Sequence, residues 1–200
     1  MPTGSLISVL TEINEEIVTV KMTPPVEQYV LHWGEMGTRW GTNRTVAQIQ
    51  ALLYLSPEPL RADQICDLLS VARSNVSTSI RELQSYGLVR MTHVLGDRRD
   101  YFESIHDVWE LFRVIIEQRK QRELNPTLSM LKRCAADVEN DKDTDPVTAE
   151  RIKSMLDFVE TTSNWYDDMA EVPSSTLQKI IKLGRGVTKL VTRPAKKKAG

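Results

Sequence analysis

Six polar side chains between residues 73 and 81 have the types and spacing to read a nucleic acid. Arg73 and Arg81 supply guanidinium groups, which suit phosphates and guanine edges. Ser74, Asn75, Ser77 and Thr78 supply hydroxyl and amide groups for bases or backbone. Val76, Ile80 and Leu83 are interleaved with them, four and three residues apart, on one helical face. Ser74, Thr78 and Arg81 repeat that spacing two positions earlier, about 200° around the axis. A helix over roughly 73–86 therefore turns one face to a core and the other outward. A second basic feature follows at Gly96-Asp97-Arg98-Arg99. Glycine and aspartate suit a hairpin turn, and arginines at its tip suit a phosphate or minor-groove contact.

The surrounding elements must position these groups. Ala62, Ile65, Cys66 and Leu69 mark a helix over 62–69, and Ser70-Val71-Ala72 is the turn after it. Gly87 fits the residue just past the second helix, where a left-handed conformation is needed. Leu88–Leu95 and Asp100–Ile105 are predicted strands flanking the tip. Leu60 suits a short strand ahead of the helix pair. Two helices, a turn and a two-stranded β wing are the layout of a winged helix-turn-helix.

The rest of the chain reads as helical, so the fold class is mainly α. Leu6, Leu10, Ile13, Ile17 and Val20 trace a seam over 4–20, packed either on its own domain or on a second subunit. Thr23-Pro24-Pro25 stops that helix. A helix follows over 26–40, with Val26, Tyr29, Val30, Trp33, Met36 and Trp40 as its apolar side. Gly34, Gly37 and Gly41 weaken it and invite close packing of another backbone. Residues 45–54 form the next helix, with Val46, Ile49, Leu52 and Leu53 inward. Beyond the wing, a helix over 107–122 is interrupted at Asn125-Pro126 and resumes to about Asn140. Two further helices cover 147–169 and the stripe from Leu177 to Val191. The division expected is an N-terminal dimerisation helix (1–25), a winged domain (26–106), a C-terminal helical dimerisation region (107–192) and a basic disordered tail (193–200).

The 200-residue chain carries a net charge of −1, which conceals an uneven distribution. Asp137 to Glu171 holds eleven acids against three bases, whereas Lys179 to Gly200 holds eight bases and no acids. The basic end suits DNA backbone, an anionic membrane surface or the acidic segment of a partner subunit; a solvated helix is the plainer reading. Residues 61–100 hold six arginines and five acids, so the winged region has no strong basic footprint. The two cysteines form no framework; Cys66 sits on an apolar face as a small hydrophobe. His32, His93 and His106 have no metal-ligand spacing and no phosphate-binding glycine loop is present. No catalytic residue, metal or cofactor is expected, and the chain does not read as an enzyme. No signal peptide or membrane span is recognisable, which points to a cytoplasmic protein without membrane insertion. Trp33, Trp40 and Trp109, with Trp165 and Tyr166, could line a cavity for an apolar or cationic effector; core or interface packing is the plainer reading.

The stretch DQICDLLSVARSNVSTSIRELQSYGLVR with the GDRRDYF turn resembles the winged helix-turn-helix of MarR-type transcriptional regulators. The preceding PPVEQYVLHWGEMGTRWGTNRTVAQIQALLYLSPEPL resembles their GbsR-like branch. The match runs from about Pro24 to Phe112. The resemblance implies a homodimeric regulator of double-stranded DNA, joined by its terminal helices and sometimes tuned by a small effector. Some members of that branch are tied to osmoprotectant metabolism. By matching positions it places Arg73, Ser74, Asn75, Ser77, Thr78 and Arg81 at the major groove. Asp97 and Arg99 match the family's D-x-R pattern at the wing, where the acid braces an arginine that meets the minor groove; Arg98 stands beside them at the same turn tip. Ala72 departs from the family, which often has a capping serine there, so Ser74 or another group is expected to cap the helix. The alternative is a winged helix used for protein contact without DNA.

Overall fold

Thr23 is extended and Pro24 follows it as the first residue of helix α1 (Pro24–Arg39). The prolines thus open this helix, two residues earlier than the apolar pattern suggests, because an N-terminal proline lacks only an N–H that would have no partner anyway. The computed structural model describes residues 20–191, with side chains described through residue 184. The seam predicted over 4–20 and the basic tail at 193–200 lie outside the described residues, apart from Val20.

Helix α1 packs against α2 (Arg44–Leu55) through Val30, Gly34 and Gly37. The expected apolar side is therefore corrected: Trp33 and Trp40 flank the contact and stay exposed. A Cβ on Gly37 would stand 2.4 Å from the Ala47 Cβ, so the two backbones approach only because no side chain intervenes. Gly41 plays another part, taking a φ of +76° just past the helix. Asn43 caps α2, accepting a hydrogen bond from the Thr45 N–H at 2.8 Å. Val46, Ile49, Leu52 and Leu53 all point into the core.

Strand β1 (Leu60–Arg61) leads into α3 (Ala62–Leu69). Ser70 ends that helix in the left-handed region, φ 52°, and redirects the chain. Helix α4 (Arg73–Ser85) follows and stops at Gly87, φ +71°. Leu88 N–H reaches the Leu83 carbonyl and Gly87 N–H the Gln84 carbonyl, both at 3.0 Å, which is the Schellman pattern. Strands β2 (Val89–Thr92) and β3 (Tyr101–Ser104) form the wing. They are shorter than the β-like runs. Gly96 at φ +86° and local turns carry residues 93–100 out of the ladder. Strand β3 lies between β1 and β2, both antiparallel to it, so the wing hairpin belongs to a three-stranded sheet. The core beneath joins Val46, Ile49, Leu52, Leu60, Ile65, Val76, Ile80, Leu83 and Phe102. Cys66 is half-buried against it.

The chain divides into two compact units at Ile115/Ile116, within helix α5 (Val108–Arg119). Asn125-Pro126 does not break the path beyond it. A π-helical turn (Lys120–Leu124) leads directly into α6 (Asn125–Asn140). Pro126 cannot donate to the preceding turn and its ring crowds that turn's carbonyl; the wider π turn relieves both. Helix α7 (Pro146–Ala170) returns along α6, capped by Asp145, which accepts from Val147 and Thr148 N–H groups at 3.0 Å. Leu131, Ala135, Val159 and Ser163 are its buried contacts. The acidic stretch helps here, with Glu139 meeting Lys153 at 3.0 Å, Glu160 meeting Lys132 at 2.8 Å, and Asp167 meeting Lys120. Helix α8 (Ser174–Val191) ends the described chain.

The Gly37 contact makes a definite prediction. Gly37→Ala gains about 1 kcal/mol of helix propensity but forces two helices apart. A net loss of about 1–2 kcal/mol is expected in denaturant unfolding. Unchanged stability would show that the α1–α2 approach is looser than described.

Candidate nucleic-acid interface

Helix α4 separates its two faces cleanly. Val76, Ser79, Ile80 and Leu83 are buried, with Val76 at 0% exposure. Arg73, Ser74, Asn75, Ser77, Thr78 and Arg81 are all exposed. Burying the apolar stripe fixes the rotation of the helix, and that rotation alone sends the six polar groups outward together. Ser79 belongs to the buried set, a position that apolar spacing does not mark.

Ala72 is the N-cap and makes no side-chain cap bond, and Ser74 does not sit at the capping position. The expectation that Ser74 caps the helix is thus corrected. Ser74 lies inside the first turn, where a hydroxyl is poorly placed to reach back to the opening N–H groups. The helix is secured instead from its far end by the Schellman turn and from its side by the core.

The wing is built around Asp97. Its Oδ1 accepts the Arg99 backbone N–H at 3.0 Å and the Arg99 Nε at 2.9 Å. Its Oδ2 accepts Arg99 Nε at 2.8 Å, Arg99 Nη2, and the Tyr101 hydroxyl at 2.8 Å. The Arg99 guanidinium, its backbone N–H and then Tyr101 together hold the Asp97 carboxyl well below the usual carboxylate range. Arg99 remains largely exposed at the wing while held in one orientation. Arg98, beside it, is also exposed.

The near-neutral charge of this region now has a spatial account. Arg61, Arg90 and Arg99 are tied to Asp63, Glu103 and Asp97 respectively. Among the described residues, Arg73, Arg81 and Arg98 enter no ion pair. Arg81 reaches only the Ser77 carbonyl on its own helix, at 3.3 Å. Asp67, Glu82 and Asp100 likewise enter no ion pair there, so the region stays close to neutral, and what the pairing leaves is guanidinium groups placed on α4 and at the wing tip.

Trp33 lies exposed on α1, its ring 5.9 Å from that of Tyr29, and Trp40 lies exposed just past the helix end. Trp109 is half-buried at the start of α5. A groove of about 670 Å³ runs along α1 past Pro24, Gln28, Tyr29 and His32, and none of the three tryptophans lines it. Among the described residues no cluster of three or more His, Cys, Asp or Glu groups could hold a metal ion. No helix there is long and apolar enough to cross a membrane.

A three-stranded sheet, a helix pair and a braced wing define a winged helix-turn-helix of the kind found in transcriptional regulators. Residues 40–100 match the family model described as MarR family. The chain is similar to the HTH-type transcriptional repressor GbsR of Bacillus subtilis (strain 168), 21% identical over 139 residues, or 68% of this chain and 77% of that protein. It is also similar in fold to a crystal structure of a transcriptional regulator, with a TM-score of 0.56 and 20% identity, over 74% of this chain and 96% of that one.

The Asp97 clamp can be tested by titration. A depressed carboxyl pKa means that the clamp is fully formed above the ordinary value of 3.8 and is lost only as pH falls through a still lower value. A carbon-detected NMR titration should therefore find Asp97 ionised at pH values where exposed aspartates are already half-protonated. Titration at 3.8 would mean that the clamp does not form in solution.

Proposed function

We propose that this chain is a DNA-binding transcriptional regulator that acts as a homodimer. The observation that carries the reading is the outward face of α4, where six polar groups stand exposed beside a braced wing, and where Arg73 and Arg81, with Arg98 at the wing tip, enter no ion pair among the described residues. A helix of this form enters the major groove with its N-terminal residues at base edges, while the wing reaches the adjacent minor groove or backbone. Arg73, Ser74, Asn75, Ser77, Thr78 and Arg81 serve the major groove. Arg98 and Arg99 serve the wing contact, with Asp97 as the brace. Such a regulator works beside the chromosome, in the cytoplasm.

The dimer reading draws support from α7. Val147, Met155, Phe158 and Trp165 are exposed large apolar residues. At 3.6 residues per turn they fall within about 80° of helix arc, beside the face that packs on α6. A second copy would cover this stripe and present two α4 helices to two half-sites, about 34–36 Å apart. The region 107–192 then acts as the dimerisation part and 26–106 as the reader. A small cationic effector would find aromatic faces at Tyr29 and Trp33. A choline titration that raises the melting temperature supports that extension, and a flat response removes it.

An electrophoretic titration on duplex from the chain's own upstream region, repeated across salt, tests the DNA reading. Affinity should fall steeply with salt, because neutralised phosphates release counterions. Arg81→Ala should weaken binding by about tenfold or more. A wild-type chain that shifts no duplex at low salt would favour the protein-contact alternative. For the dimer, Phe158→Asp should move the sedimentation coefficient from dimer to monomer, and an unchanged coefficient would place the subunit contact elsewhere.

A further inference from the structure

We propose that Tyr101 and Arg61 position the wing arginine, locking Arg99 to the helix-turn-helix so that wing and helices present one rigid surface; this rests on the DNA-reading function above. The Asp97–Arg99 pair spans only two residues of an eight-residue loop, 93–100. Exposed pairs of that kind contribute little and hold no fixed direction by themselves. Tyr101 supplies the missing anchor. It sits on the central strand β3, is 2% exposed, and donates its hydroxyl to Asp97 at 2.8 Å. With the three Arg99 donors, that hydroxyl fills the roughly four acceptor sites of a carboxylate.

The anchor is itself held from β1. Arg61 is the register partner of Tyr101, and its guanidinium lies 5.8 Å from the centre of the Tyr101 ring. Arg61 Nε also donates to Asp63 at 3.0 Å, in the first turn of α3, and its backbone N–H donates to Gln64 Oε1 at 2.9 Å. A continuous set of contacts thus runs from the first helix of the pair through Arg61, Tyr101 and Asp97 to Arg99. Arg61 is a partly buried cation, committed to this path rather than to DNA. Tyr101 is a positioning residue, acting on the nucleic acid only through the arginine it orients.

Tyr101→Phe removes the hydroxyl and keeps the ring and its cation contact. The Arg99 Nε–H in the DNA-free protein should then exchange with water several-fold faster, read by NMR. Duplex affinity should fall about five- to tenfold, and Tyr101→Phe should have no further effect in an Arg99→Ala background. Arg61→Met should weaken binding about two- to fourfold, with the same silence in that background, and it carries the test if Tyr101→Phe does not fold. Additive losses with Arg99→Ala, or unchanged affinity and unchanged Nε–H exchange, overturn the proposal. If the wild-type chain binds no duplex, the DNA reading fails on its own account. The exchange rate then decides the positioning claim alone: faster exchange in Tyr101→Phe upholds it and an unchanged rate overturns it.

Discussion

The proposed reading surface depends on the burial of Val76, Ile80 and Leu83 against the core formed by α2, α3 and the sheet. Those three contacts determine how α4 is rotated about its axis. Rotation, in turn, decides which residues face solvent, and here it exposes every polar group from Arg73 to Arg81 except Ser79. Fully burying an aliphatic side chain is worth about 1.5–3 kcal/mol, so the helix has little freedom to roll. Specific recognition of base edges demands that rigidity, because hydrogen bonds lose strength steeply with misalignment.

Charge is arranged on the same principle. Three acids of the winged region, Asp63, Glu103 and Asp97, each take one arginine, and between residues 61 and 103 the arginines left over are on α4 and the wing tip. A modest local field that is aimed can serve a reader of specific sequence better than a broadly basic surface, which would bind any duplex. The Asp97 clamp goes further by giving up part of Arg99's hydrogen-bonding capacity in exchange for a fixed direction.

Much of this was legible in the residues. The helix over 62–69 appears with the bounds that apolar spacing predicts, and α4 differs only at its last residue. Gly87 takes the left-handed conformation that its position implied. Periodicity was less informative where other forces compete with it. Trp33 and Trp40 fit the apolar side of α1, yet the glycines beside them permit a closer contact on the neighbouring face. Asn125-Pro126 reads as a break, but a π turn absorbs it, and no sequence pattern marks such a turn. The roles of Tyr101 and Arg61 were hidden because they depend on register between β1 and β3, strands separated by the whole helix pair. The placement of Tyr101 four residues after Asp97 was the available hint.

The most direct test of DNA reading by α4 and the wing is backbone amide NMR of the full chain during titration with duplex from its own upstream region. Shift changes should concentrate at residues 73–81 and at 97–99, with the buried strand β3 and the α6–α7 pair little affected. Changes that leave α4 unperturbed while clustering elsewhere would contradict the account, since the face described here would then not be the one that meets DNA.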